Sequence, residues 1–237
     1  DFYTFAEDAA VQDITEETAM LAVMGPGAAS LLDELTQQEV SSLARYECTS
    51  TSIRGIEVMA IRTDFAGLPG YDLAMTAPQA QQLWSRLLSR DNGLEIALVG
   101  MKALEVVRIE QGIPVYGKEL GEEHNPLEAN LWEFINFNKG CYVGQEVVAR
   151  LNTYDKVQKR LVGLSWTDEG NPTPNADLYL EGKRVGSLTS ATRSPRLKRG
   201  IGLGYVKKAH AQPGARLSME AAEDDIVARV EELPFKL

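Results

Sequence analysis

The sequence predicts an α+β domain followed by a small all-β domain, and three observations predict it. Helical and strand-like patterns interleave up to Leu151 without a regular βαβ repeat. Beyond Leu151 come short strand-like pieces broken by Gly, Pro and Asn. The chain has 237 residues, 44% hydrophobic and 24% charged, enough to bury a core in one large domain or two modest ones without disulfide staples. The texture changes near Lys156, which predicts domains over 1–156 and 157–237.

The elements follow in chain order. Ala28, Leu31, Leu32 and Leu35 recur at helical spacing in Gly27–Leu35. Ile53–Arg62 alternates and is β-branched, which predicts one strand, with Tyr71–Thr76 as its partner across a loop rich in Gly and Pro. Gln79–Arg90 places Leu83, Trp84, Leu87 and Leu88 on a helix, with Pro78 suited to its first turn and Gly93 past its end. Gly100–Glu110 reads as a helix until Gly112-Ile113-Pro114 stops it. Gln145–Leu151 reads as a further helix. Strand-like pieces then lie at Arg160–Trp166, Asp177–Tyr179, Arg184–Thr192, Ile201–Val206, Arg216–Met219 and Ile226–Val230, spaced as in a small barrel or sandwich. Gly200-Ile201-Gly202-Leu203-Gly204 belongs to one of these strands. It lacks the following helix and acidic residue of a dinucleotide fingerprint.

Charge and composition exclude several functions. A net charge of −10 repels phosphate backbones, so no nucleic-acid partner is expected. No apolar run approaches the roughly 20 residues of a membrane-spanning helix, so no membrane partner is expected. The two cysteines, Cys48 and Cys141, form no C-x-x-C pair, and the two histidines, His124 and His210, no ligand pair, so no metal site is predicted. Free cysteines without a secretory signal point to a reducing compartment: bacterial cytoplasm, or an organellar matrix or stroma after removal of a targeting segment.

The most informative stretch is Lys139-Gly-Cys-Tyr-Val-Gly-Gln-Glu146. A cysteine near a helix N-terminus and beside a lysine is placed where the thiolate is favoured. Cys141 and Lys139 are therefore the candidate functional thiol and its cation; the alternative is a small buried hydrophobe, and Cys48, amid Tyr46–Thr51, reads as a buried strand residue. Arg108 and Glu110, judged from the residues alone, are a surface ion pair or a solvated face. Tyr116 and Trp132 read first as core aromatics.

The octapeptide resembles the signature of the YgfZ-type folate-binding proteins, relatives of the glycine cleavage system T-protein linked to iron–sulfur cluster assembly and repair. Further matches run along the chain. Leu21–Ala28 is similar to the family's L-x-G-P-x-A segment, and Arg62–Gly67 with Gly70–Leu73 to the R-T-G-Y-T-G-E-x-G-Y-E-I run. Arg108–Gly117 is similar to R-x-E-x-G-x-P-x-Y-G, and Asn125–Ala129 to x-P-L-E-A. Where Cys141-Tyr142-Val143-Gly144 stands, transferase-type T-proteins usually read an aromatic, Ile, Gly and a basic residue, so the YgfZ-like branch is the better match. The resemblance implies a T-protein-like α+β domain with a C-terminal β-barrel and a bound tetrahydrofolate or related reduced folate. It places Arg108, Glu110 and Tyr116 at the folate and sets Asp72 where T-protein has a glutamate paired with the pterin ring; a strand-end carboxylate facing water is the alternative for Asp72. It also implies an N-terminal portion ahead of this sequence, carrying an acidic residue credited with catalysis that nothing here matches. The implied function is a folate-binding accessory factor with iron–sulfur assembly proteins as partners. The alternatives are a tetrahydrofolate-dependent aminomethyltransferase, or an interaction protein that has lost folate.

Overall fold

The computed structural model describes residues 10–88, 96–154, 156–167, 170, 172–173, 175–220 and 225–236. Its packing separates two compact units, Asp1–Leu98 and Val99–Leu237. The segment from 99 to 156, assigned from the sequence to the first domain, groups with the barrel in this division.

The first unit is a four-stranded antiparallel sheet in the order β1-β4-β3-β2, made of β1 (Thr18–Met24), β2 (Cys48–Ile53), β3 (Ile56–Arg62) and β4 (Gly70–Thr76). One face carries Ile53, Ile56, Val58, Ala60, Leu73 and Met75. It packs with Leu31, Leu32, Leu83 and Leu87 of the helices α1 (Ala28–Thr36) and α2 (Ala80–Leu87). Both helices fall where the apolar spacing predicts them. The predicted strand over 53–62 is β3 from Ile56 onward, paired with β4 as expected, but its start belongs to a hairpin turn. Ile53 ends β2 and pairs with Ile56 across Arg54-Gly55, whose φ values of 50° and 81° give the two-residue loop that matches strand twist. Strand β1 has no counterpart in the sequence reading, because Ala, Met and Leu carry no β-preference and pairing with β4 decides the conformation.

The second unit contains α3 (Met101–Glu110), α4 (Gln145–Thr153) and a closed barrel in the order β10-β5-β8-β7-β6-β9. Its strands are β5 (Lys159–Trp166), β6 (Asp177–Leu180), β7 (Lys183–Ser194), β8 (Arg199–Lys207), β9 (Arg216–Met219) and β10 (Ile226–Glu231). All six sit on predicted strand segments, and the barrel-or-sandwich alternative resolves to a barrel. Leu164, Leu178, Leu188, Val206, Leu217, Met219 and Val230 form one buried cluster. Ile109, Ala129, Leu161, Ile201, Leu203, Tyr205 and Phe235 form a second, which includes a residue of α3.

Strand β8 needs its glycines because β7 lies too close for side chains. A Cβ on Gly202 would stand 2.4 Å from the Ser190 carbonyl oxygen, and one on Gly204 2.7 Å from that of Ser187. Both obstacles are backbone and cannot swing aside. Gly202→Ala is therefore expected to lower stability by about 1–3 kcal/mol. Gly121→Ala, where a Cβ meets nothing within 4 Å, should stay within about 0.5 kcal/mol of the parent. Urea unfolding of the two variants checks this.

Candidate functional site

Arg108 is 2% exposed in the second unit, and the protein itself uses its whole guanidinium. Nε donates to Glu105 Oε2 at 3.0 Å, and Nη2 donates to Glu105 Oε1 and Ser190 Oγ, each at 2.5 Å. Nη1 donates to Glu119 Oε2 at 2.9 Å and to the Ile113 carbonyl at 3.3 Å. These contacts account for all five N–H donors of an arginine. The sequence offered a surface ion pair or a folate contact for this residue. The structure corrects the surface reading: Arg108 is turned inward, and each of its donors is paired within the protein.

Glu119, with no exposed side chain, is saturated in the same way. Oε2 also accepts the Val115 N–H at 3.1 Å, while Oε1 accepts the hydroxyls of Thr189 at 2.7 Å and Ser190 at 2.6 Å. Consecutive strand residues normally point to opposite faces. Here the register shifts between Leu188 and Ser190, and this bulge brings both hydroxyls to one carboxylate. Glu105 completes the group, with its carboxyl held down to about 2, chiefly by the hydrogen bonds from Arg108.

Glu110 is buried as well, so it too is corrected from a surface group to an internal one. It accepts from Ser194 Oγ at 2.5 Å and Arg196 Nε at 3.0 Å, and its carbonyl accepts the Phe235 N–H at 2.9 Å. The R-x-E pair is thus a latch from α3 to β7 and to the end of the chain. Tyr116 is 84% exposed and Trp132 45% exposed, so neither is the core aromatic that composition favours.

Cys141 is exposed on the loop leading into α4, and Cys48 is exposed too, against the buried position expected for it. Gly144 enters the helix at φ 89°, a conformation that suits glycine, and the Tyr142 N–H donates to Gln145 Oε1 at 3.2 Å. The Lys139 ammonium lies 4.8 Å from the centre of the Tyr142 ring, so its partner here is an aromatic face.

Asp72 belongs to the first unit. It sits on the face of the sheet away from the helix-packed core, in a cross-strand row with Ala22, Ile61 and Cys48. Met20 and Met59 lie exposed on that face, at 61% and 45%. Burial alone pushes the Asp72 carboxyl above its usual range, and no hydrogen bond or ion pair to it is found among the described residues. In the adjoining loop Asp64 stands where the family run has glycine. It adopts φ 47°, a left-handed conformation that Asp tolerates, and receives Arg62 Nε at 3.0 Å.

Two predictions follow from this geometry. Arg108→Met leaves the buried Glu119 without its cation and should cost about 3–5 kcal/mol in urea unfolding. The double variant Arg108→Met/Glu119→Leu should cost less than the sum of the single changes, because neither charge remains alone. For Asp72 the folded pKa lies above the unfolded one. Its ionisation therefore destabilises the folded state at pH above the folded value, and the penalty vanishes below the unfolded aspartate range. Asp72→Asn should melt above the parent at pH 7, with the gap closing as pH falls through that range.

Comparison with known proteins agrees with this architecture. Residues 2–139 match the GCVT N-terminal domain, and residues 159–236 match the glycine cleavage T-protein C-terminal barrel domain. An aminomethyltransferase of Moorella thermoacetica is 32% identical over 95% of this chain and 61% of its own length. A chloroplastic candidate transferase of Arabidopsis thaliana is 34% identical over 98% of this chain and 51% of its own length. The crystal structure of the glycine cleavage system aminomethyltransferase T from Bartonella henselae superposes with a TM-score of 0.79 at 24% identity, over 92% of this chain and 60% of that one, which bears on the fold alone. The chain thus spans about half to three-fifths of the length of these relatives. With both of its units matched in order, it belongs to the glycine cleavage T-protein family.

Proposed function

We propose that this protein binds a reduced folate, tetrahydrofolate or a close relative, at the Asp72 face of its sheet. In this reading it serves as an accessory factor in iron–sulfur cluster assembly or repair, with Cys141 as its functional thiol. The observation that carries the folate reading is the desolvated and unpartnered Asp72 carboxylate. A pterin ring presents an amine and a ring N–H side by side, which would give that carboxylate the two donors it lacks. The accessory role is supported by the exposed Cys141 loop with its glycine-started helix. Arg108 and Glu110 serve here as positioning residues for α3 and the barrel, and the exposed Tyr116 remains available to a ligand ring. No helix among the described residues is long and apolar enough to cross a membrane.

A second reading, a folate-dependent aminomethyltransferase, is favoured by the names of relatives such as the Moorella protein. A folate titration tests the site that both readings share, and two further experiments separate them. Titration with tetrahydrofolate, followed by intrinsic Trp fluorescence, should give saturable binding. Asp72→Asn should weaken it by about 1.5–3 kcal/mol and Asp72→Glu should retain it. Unchanged affinity in Asp72→Asn would remove Asp72 from the site. Cys141→Ser should keep folate affinity but fail to restore iron–sulfur enzyme activities in a strain lacking the gene. Turnover of an aminomethyl-lipoyl carrier to methylene-tetrahydrofolate, undiminished by Cys141→Ser, would favour the transferase.

A further inference from the structure

The second unit holds a cavity of about 680 Å³ that borders the Arg108 network through Lys118 and Thr189 and does not include the Cys141 loop. Its lining includes Lys118, Lys159, Arg184 and Lys207, together with His124 and Tyr205. In a chain of net charge −10, four cations around one cavity are a local reversal of sign.

The four are not equally neutralised. Lys118 donates to Glu105 at 2.6 Å, and Arg184 pairs with Asp177 at 2.7 Å. Lys207 Nζ donates to a backbone carbonyl, that of Arg184, at 3.1 Å. Lys159 Nζ meets the Glu123 carbonyl at 3.4 Å and lies 5.3 Å from the Tyr205 ring centre, while the Glu128 carboxylate stands at 4.0 Å. Glu123 also lines the cavity and offsets part of this charge.

Lys159 and Lys207 are direct partners in the β5–β8 register. Like charges facing each other across a strand pair destabilise it. A local rule broken in this way is characteristic of functional sites. His124, which lines the same cavity, adds a second unmet demand. The His124 ring stacks on Tyr205 at 3.8 Å, and its Nδ1 is buried with no partner among the described residues. Burial, and next the Lys159 ammonium, hold the His124 imidazole below its usual pKa, so the two groups feel one another.

We propose that this cavity binds a small, multiply charged anion through Lys159 and Lys207, with His124 completing the contact. Two ammonium groups at facing strand positions suit a ligand with two anionic oxygen groups a few ångströms apart, phosphate or carboxylate. The volume is that of an ordinary small-molecule site.

The test is titration of the 237-residue protein with pyrophosphate and, separately, with citrate, by calorimetry and thermal melting. At least one should bind with a submillimolar Kd and raise Tm, and the tighter of the two identifies the phosphate or carboxylate class. Lys207→Gln should weaken that binding about tenfold or more, a loss of about 1.4 kcal/mol or more, and abolish the rise in Tm. Lys198→Gln, on the exposed turn between β7 and β8, should change neither. Without ligand, Lys207→Gln should melt no lower than the parent, since one of two facing cations is gone; if it does melt lower, Lys159→Gln carries the same comparison. Failure of both anions to bind, binding indifferent to these lysines, or equal loss in Lys198→Gln would overturn the proposal.

Discussion

The barrel unit depends on one buried ion pair, Arg108 with Glu119. Neither charge could be carried into the interior unless every lone pair and N–H found a partner, since an incompletely satisfied buried ion costs several kcal/mol. That requirement reaches outward. Residues 113–119 must wrap back so that Ile113 and Val115 supply a carbonyl and an N–H. Strand β7 must bulge at Thr189 so that two adjacent hydroxyls converge. Strand β8 must run close behind it, with glycine where a Cβ would strike the Ser190 carbonyl. Such a pair adds little net stability over a well-packed apolar replacement; what it fixes is the placement of α3 on the barrel wall.

Much of this fold was legible in the sequence, because apolar spacing reports directly on burial. Leu31, Leu32 and Leu35 identify α1, and Leu83 and Leu87 identify α2. The six short segments after Lys156 correspond to the six barrel strands. What escaped has physical reasons. Glu119 sits in an unremarkable Lys-Glu-Leu, and two of the partners that satisfy its buried carboxylate, Thr189 and Ser190, lie about seventy residues away. The hairpin at Arg54-Gly55 had a local signal, a glycine between two β-branched runs, which a continuous alternating pattern masked. For Arg108 the motif pointed to a residue that matters, but spacing does not show that its guanidinium is turned inward onto Glu105, Glu119 and Ser190.

The family's segments divide by what they do here. Arg108, Glu110 and Gly112 hold the architecture; a Cβ at Gly112 would stand 2.8 Å from that of Leu233. Asp72, Tyr116 and Cys141 are left available to something outside the chain. A matched motif therefore mixes residues that build the scaffold with residues that use it, and burial with hydrogen-bond saturation separates the two groups.

The two units also differ in their edges. The barrel closes on itself, with β10 paired to both β5 and β9, and so presents no unpaired strand. The open sheet ends at β1 and β2, and β1 is a run of Thr, Ala, Met, Leu and Val with neither charge nor proline to discourage pairing. Among the described residues, the outer edge of Thr18–Met24 is therefore where strand addition to the first unit meets the least resistance. A lysine or proline introduced on that outer edge would be the economical way to keep the protein dispersed.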